Sequence, residues 1–251
     1  ELIKAKSSIT PVTPFTFGDD PSTWPAVMRQ ALQSLGLEKG RIMVEPTRLR
    51  FMEIDYLQKA APDLQFVNGE SVFNSLRVQK DADEINAMRK AVEIAQNALA
   101  ATLPMIHVGV SESEIASQLT IEMLKAGSAT ELPFQPIVAS GPNSANPHAV
   151  PTNRKLASGD LLVIDWGAAY ADYCSDLTRT FAIGQISDEL HLIYETVKAA
   201  NAAGRSIGKP GIEAGEVDHA ARQVIETAGY GEYFTHRTGH GLGMETHEDP
   251  Y

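Results

Sequence analysis

The sequence predicts a mixed α/β (α+β) protein in two parts, a small α/β unit over residues 1–78 and a larger unit over residues 79–251. Three observations predict it. Before residue 78, short apolar runs of strand length alternate with helical periodicity. From Asp81 a long, strongly helical pattern opens. After Gly127, strand-like runs are followed by two more helices and a glycine- and histidine-rich end. Hydrophobic residues are 43% of 251 positions, enough to bury a sizeable core.

Within the first part, RIMVE (41–45) and LQFVNG (64–69) are strand candidates. WPAVMRQALQSLG (24–36) has helical spacing, with Val27, Leu32 and Leu35 on or near one face and Gly36 at its end. LRFMEIDYLQKAAP (49–62) predicts a second helix, ended by Pro62. The boundary between the parts falls near 78–80. Asp81 with Glu84 three residues on is a capping box, and Ile85, Met88, Val92, Ala95 and Leu99 then recur at steps of three and four. Ser111 with Glu114 repeats the device for a helix running to about Lys125. LPFQPIVASG (132–141) predicts a strand entering a Gly-Pro turn. LLVIDWGAAY (161–170) and YCSDLTRTFAI (173–183) predict a hairpin. Helices are predicted over 187–207, stopped by Lys209-Pro210-Gly211, and over 213–229, capped at Gly229.

Composition excludes several functions. The net charge is −11 and no Lys/Arg cluster occurs, so a nucleic-acid partner is not expected. Cys174 is the single cysteine; it rules out a disulfide within the chain and suits a reducing, cytoplasmic compartment. Nowhere do roughly 18 apolar residues run together, so no membrane-spanning helix is expected. The opening ELIKAKSSIT lacks the apolar stretch of a signal peptide. The first residue is Glu rather than Met, which suggests a start inside a longer gene product.

Two aspartates carry the first chemical signal. If the hairpin turns at Tyr170-Ala171, Asp165 lies directly opposite Asp176. Two opposed like charges destabilise a strand pair. Asp165 also follows the apolar run Leu161-Leu162-Val163-Ile164, so burial would demand a shared proton or a cation. The alternative is that one of the two sits at a strand end in water. Asp172 belongs in the turn, where aspartate is ordinary. His236, His240 and His247 fall within twelve residues, beside Gly239, Gly241 and Gly243. Such glycines permit close backbone approach or positive φ, and histidine is a common metal ligand and proton shuttle. His148 lies between Pro147 and Pro151 in a stiffened loop. His191 and His219 read as surface residues of helices, and His107 is given no role.

Together these pieces resemble a known family. His148-Ala149-Val150-Pro151 resembles the HxxP motif of the pita-bread metallopeptidases. Asp165 follows seventeen residues later in VIDWG, and Asp176 eleven after that in SDLTRTF. HRTGHGLGMETHEDP is similar to the signature HxxGHGxGxxxHExP. Order and spacing resemble the branch of Xaa-Pro aminopeptidases and Xaa-Pro dipeptidases (prolidases). The resemblance covers about residues 80–251, as part of a pita-bread catalytic domain. The preceding segment resembles the later portion of that branch's N-terminal domain. Methionine aminopeptidases share the catalytic fold but usually lack that domain and the histidine corresponding to His236.

The resemblance implies that Asp165 binds metal through both oxygens, that Asp176 bridges two metals, and that His240 ligates one through an imidazole nitrogen. It implies that His148 and His236 lie beside the scissile bond and that His247 contacts the substrate carbonyl. The expected cofactor is two divalent ions, Mn²⁺ ahead of Co²⁺ or Zn²⁺, holding a bridging hydroxide. The expected substrate is a peptide with proline at its second position, and a homodimer is common among such enzymes. Two further glutamate ligands are expected in strands after the GHG segment, beyond Tyr251, so the 251-residue chain alone is expected to be inactive. Two alternatives stand beside this. One is a creatinase-like hydrolase without metal, against which Asp165, Asp176 and His240 argue. The other is a non-catalytic pita-bread module that binds peptide or protein.

Overall fold

Pro25 sits in the first turn of helix α1 (Trp24–Ser34), where the missing N–H would have had no partner inside the helix. The helix is left through Gly36, whose φ of +68° favours glycine. The structure, a computed structural model, describes residues 13–250. The opening ELIKAKSSIT, read above as no signal peptide, lies outside them. After α1 come strand β1 (Lys39–Val44), helix α2 (Phe51–Ala60), strand β2 (Asp63–Asn68) and helix α3 (Glu70–Arg77). The strands pair in parallel, from Lys39 opposite Asp63 to Val44 opposite Asn68. A small core of Leu32, Ala60, Ala61 and Leu64 joins this unit. Helix α3 was not expected from the sequence.

The chain divides into two compact units, Glu1–Leu76 and Arg77–Tyr251. The second opens with α4 (Ala82–Thr102) and α5 (Glu112–Lys125). Both start on the predicted capping boxes. Asp81 Oδ1 accepts from the N–H groups of Asp83 and Glu84, and Glu84 returns a carboxylate to the Asp81 N–H. Ser111 and Glu114 do the same for α5. Strand β3 (Ile137–Ser140) is shorter than the predicted 132–141, because Pro133 and Pro136 have no N–H to give a ladder. Then come β4 (Leu161–Trp166), the two-residue strands β5 (Ala169–Tyr170) and β6 (Tyr173–Cys174), and β7 (Leu177–Ala182). Helices α6 (Asp188–Ile207) and α7 (Ala214–Thr227) follow, close to the predicted ranges.

β3, β4 and β7 form an antiparallel sheet in that order. Along β4 the side chains alternate. Leu162, Ile164 and Trp166 are buried and join Ile94, Ile115, Leu119 and Met123 in the main core. Burying a side chain of that size contributes about 1.5–3 kcal/mol. The Trp166 indole N–H is satisfied by the Ala95 carbonyl at 2.8 Å. The other face of β4 presents Leu161, Val163 and Asp165, all half-buried. That alternation puts Asp165 on the side of the sheet away from the α4–α5 core.

Candidate metal centre

The hairpin register differs from the expectation. β4 and β7 pair so that Asp165 faces Thr178, not Asp176. The turn lies one residue later than assumed, at Ala171-Asp172, both with positive φ (48° and 67°). Asp172 is therefore in the turn, as expected. Asp176 lies just before β7, where the ladder is interrupted, yet remains close to Asp165. Burial pushes the Asp165 carboxyl up, to about 6, and the neighbouring Asp176 charge adds to the effect; Thr178 and His240 oppose it. Asp165 Oδ1 is buried with no hydrogen-bond partner among the described residues.

His240 comes from the loop after α7. Its Nε2 lies 3.5 Å from Asp176 Oδ2. Its Nδ1 lies 2.9 Å from the carbonyl of Gly241, which can only accept, so Nδ1 carries the hydrogen in that contact. In the neutral ring the Nε2 lone pair then points at a carboxylate oxygen. Acceptor meets acceptor, and a proton or a metal cation is what can bridge them. The His247 ring lies 4.1 Å from the His240 ring. Burial lowers the His247 pKa, the His240, Arg237 and His148 charges add to that, and Asp176 works against it. His148 is exposed on its loop, within electrostatic reach of His247.

His236 is less closely tied to this group. Its ring packs edge-on against Phe234, its Nδ1 lies 3.3 Å from the Arg237 carbonyl, and its own carbonyl accepts from Arg222. Asp218 on α7 pairs with Arg222 and accepts from the N–H and hydroxyl of Thr238, which fastens the 234–238 segment to the helix. Gly241 and Gly243 serve close approach and not positive φ, whereas a Cβ on Gly239 would meet open space. A Cβ on Gly241 would strike the backbone of Asp249 and Glu248, and one on Gly243 would strike the Glu248 carboxylate. Glu248 itself is buried. It accepts from Lys80 Nζ at 3.0 Å and from the Glu245 N–H at 3.0 Å.

Among the described residues, no group of three or more His, Cys, Asp or Glu side chains is placed to hold a metal ion as it stands. The donor types are nonetheless those that suit a divalent cation. Two carboxylates and an imidazole lie together, one carboxylate oxygen is orphaned, and one nitrogen lone pair faces an oxygen. Sequence reasoning missed Glu112, Lys80, Glu248, Asp218 and the Arg154–Asp160 pair, in which both guanidinium ends reach the carboxylate. Glu248 was visible inside the signature. Glu112 looked like any acidic residue in a first helical turn.

The chain matches the model of metallopeptidase family M24 over residues 86–251 and belongs to that family. It is 38% identical over 250 residues to an Xaa-Pro dipeptidase of Pyrococcus horikoshii, covering 100% of this chain and 67% of that protein. It is 35% identical over 234 residues to a putative dipeptidase of Bacillus subtilis, covering 93% of this chain and 64% of that one. The chain thus spans about two thirds of the length of these relatives. Its structure superposes with a TM-score of 0.87 on an X-Pro aminopeptidase from Thermotoga maritima, at 34% identity, covering 99% of this chain and 69% of the other. The mixed helix-and-strand fold is that of the pita-bread enzymes of family M24.

Proposed function

We propose that the protein is a divalent-metal-dependent exopeptidase that hydrolyses Xaa-Pro bonds. The observation that carries this is the gathering of two carboxylates and an imidazole, with His240 Nε2 facing Asp176 Oδ2 at 3.5 Å beside a buried Asp165 Oδ1 that has no hydrogen-bond partner among the described residues. Asp165, Asp176 and His240 would hold the ions. When bound, two divalent ions would supply Lewis acidity and an activated water. The carboxylates and imidazole would orient the ions. His247, whose pKa burial lowers, is suited to donate a ring N–H to the substrate carbonyl. His148 and His236 would line the scissile bond and hold the peptide in place. Proline in the substrate suits a site that requires no N–H from that residue.

Mn²⁺ is the ion this oxygen-rich set favours, with Co²⁺ and Zn²⁺ behind it. Among the described residues, no helix is long and apolar enough to cross a membrane. The assignment to the cytoplasm rests on the single, buried Cys174, and the homodimer on family resemblance alone. Aminopeptidase and dipeptidase action are both carried forward, since similar proteins bear each name. The test is hydrolysis of Xaa-Pro dipeptides and of longer Xaa-Pro peptides by the full-length protein, with Mn²⁺ and after chelation. Metal-dependent release of the first residue is expected. A second reading, a non-catalytic peptide-binding module, draws on the lack of a closed three-donor cage among the described residues. It predicts peptide binding that is indifferent to chelation and no turnover.

A further inference from the structure

Glu112 is the first residue of α5, directly after its cap, and its side chain is fully buried. Such a carboxylate is costly unless every lone pair is used. Here they are. Oε1 accepts from the Ser140 N–H and Ser140 hydroxyl, each at 2.7 Å. Oε2 accepts from the Thr152 N–H at 3.0 Å and the Thr152 hydroxyl at 2.6 Å. The Asn143 amide spans both oxygens at 3.1 Å. Burial alone would push this carboxyl up; the hydrogen bonds from Thr152 and Ser140 outweigh it and hold it below the usual range.

These partners have a particular placement. Ser140 ends β3, Asn143 lies in the 3₁₀ turn that follows, and Thr152 lies on the far side of Pro151. One carboxylate therefore ties together both ends of the loop that carries His148. Two backbone contacts from the same helix start reinforce it, Glu112 N–H to the Arg154 carbonyl at 3.1 Å and Ser113 N–H to the Thr152 carbonyl at 3.0 Å. Inside the loop, Asn146 turns the chain locally, its Oδ1 accepting from the His148 N–H at 3.0 Å and its carbonyl from the Ala149 N–H at 3.2 Å. Among the described residues the loop has no ladder of its own; the Glu112 contacts close its base, and Arg154 Nη1 also reaches the Ser140 hydroxyl there, at 2.6 Å.

We propose that Glu112 is a positioning residue that fixes where the loop presents His148 to the reacting centre. The proposal rests on the assignment of His148 to that centre. The carboxylate is suited to the task because all six contacts come from donors. An amide in its place would turn an NH₂ group toward either the Ser140 or the Thr152 N–H, and one side of the clamp would open.

The test is a double-mutant cycle on the full-length, metal-loaded protein with an Xaa-Pro peptide, using Glu112→Gln, His148→Ala and both together. Glu112→Gln is expected to lower kcat roughly 10- to 100-fold, as small misplacements of reacting groups do. KM is expected to stay within about twofold, with bound metal unchanged. In the His148→Ala background, Glu112→Gln is expected to cost nothing further. In the metal-free protein, amide hydrogen exchange is expected to quicken across residues 143–152 and to stay unchanged in β4. An equal fall in kcat with and without His148, or unchanged exchange in the loop, would mean that Glu112 only holds the fold and would overturn the proposal. If His148→Ala turns over normally, His148 leaves the mechanism and the proposal falls with the assignment beneath it. Should Glu112→Gln fail to fold, Thr152→Val removes one donor without placing an amide in the buried site. It is expected to lower kcat by less, again only when His148 is present; the same fall in both backgrounds overturns the proposal.

Discussion

His240 Nε2 faces Asp176 Oδ2 at 3.5 Å, while the other ring nitrogen lies 2.9 Å from the Gly241 carbonyl. On the proposed function, a divalent metal would sit between them. Adding Mn²⁺ at about 100 times its Kd should stabilise the protein by about 2.7 kcal/mol, a rise of roughly 5–11 °C in Tm. Chelation should reverse it. Asp176→Asn should abolish both the Tm response and the bound Mn²⁺ measured by atomic emission; undiminished stoichiometry would remove Asp176 from the ligand set.

His148 is expected to act on substrate and not on metal. His148→Ala should retain its Mn²⁺ and lose roughly 100-fold or more in kcat for Xaa-Pro substrates, the cost of removing a group that stabilises the developing charge. Steady-state kinetics beside a metal assay checks this, and loss of metal from the variant would contradict it.

The Lys80–Glu248 pair is expected to brace the histidine loop. Lys80 and Glu248 side chains are 13% and 6% exposed, so removing the cation strands a buried carboxylate. Lys80→Met should cost about 3 kcal/mol in urea unfolding. A loss below about 0.5 kcal/mol would mean that the pair behaves like an ordinary surface ion pair.

Acid should find Glu112 and Asp160. Two N–H groups of Arg154 lower the Asp160 pKa, against its burial and with help from the Ala157 N–H. Glu112 is lowered as well, its hydrogen bonds outweighing burial. A depressed folded pKa contributes stability that is present above the unfolded value and lost as pH falls through the folded one. Stability from these two groups should therefore be full above their unfolded values of 4.5 and 3.8 and fall away below them. Arg154→Ala should weaken the protein by about 2 kcal/mol at pH 7 and flatten the acid limb of a plot of urea midpoint against pH. A variant with the wild-type slope would show that the pair does not set it.

Helix starts were the most legible part of the fold. Asp81 and Ser111 announce α4 and α5 because a cap is a local event, settled by four neighbouring residues. The hairpin register was not legible to the residue. Its turn sits on Ala171-Asp172, both left-handed, where Asn-Gly or Asp-Gly would have signalled the position. A one-residue misplacement of the turn moved Asp165 from facing Thr178 to facing Asp176. The two carboxylates still meet, because Asp176 lies where the ladder breaks and its side chain is not held in a cross-strand pair. Among the site residues, the histidines stood out by crowding beside glycines. Glu112 did not, because its role depends on Ser140, Asn143 and Thr152, which only the fold brings to it.

The carbonyl that orients His240 belongs to the peptide of Gly241, not to any side chain. No substitution of a neighbouring side chain can delete it. The one residue whose change could shift it directly is Gly241, and there a Cβ would collide with the chain returning at Glu248 and Asp249. The acceptor beside Nδ1 is thus inherited with the path of the main chain. Substitutions that leave the path of the main chain alone leave this acceptor beside the ring.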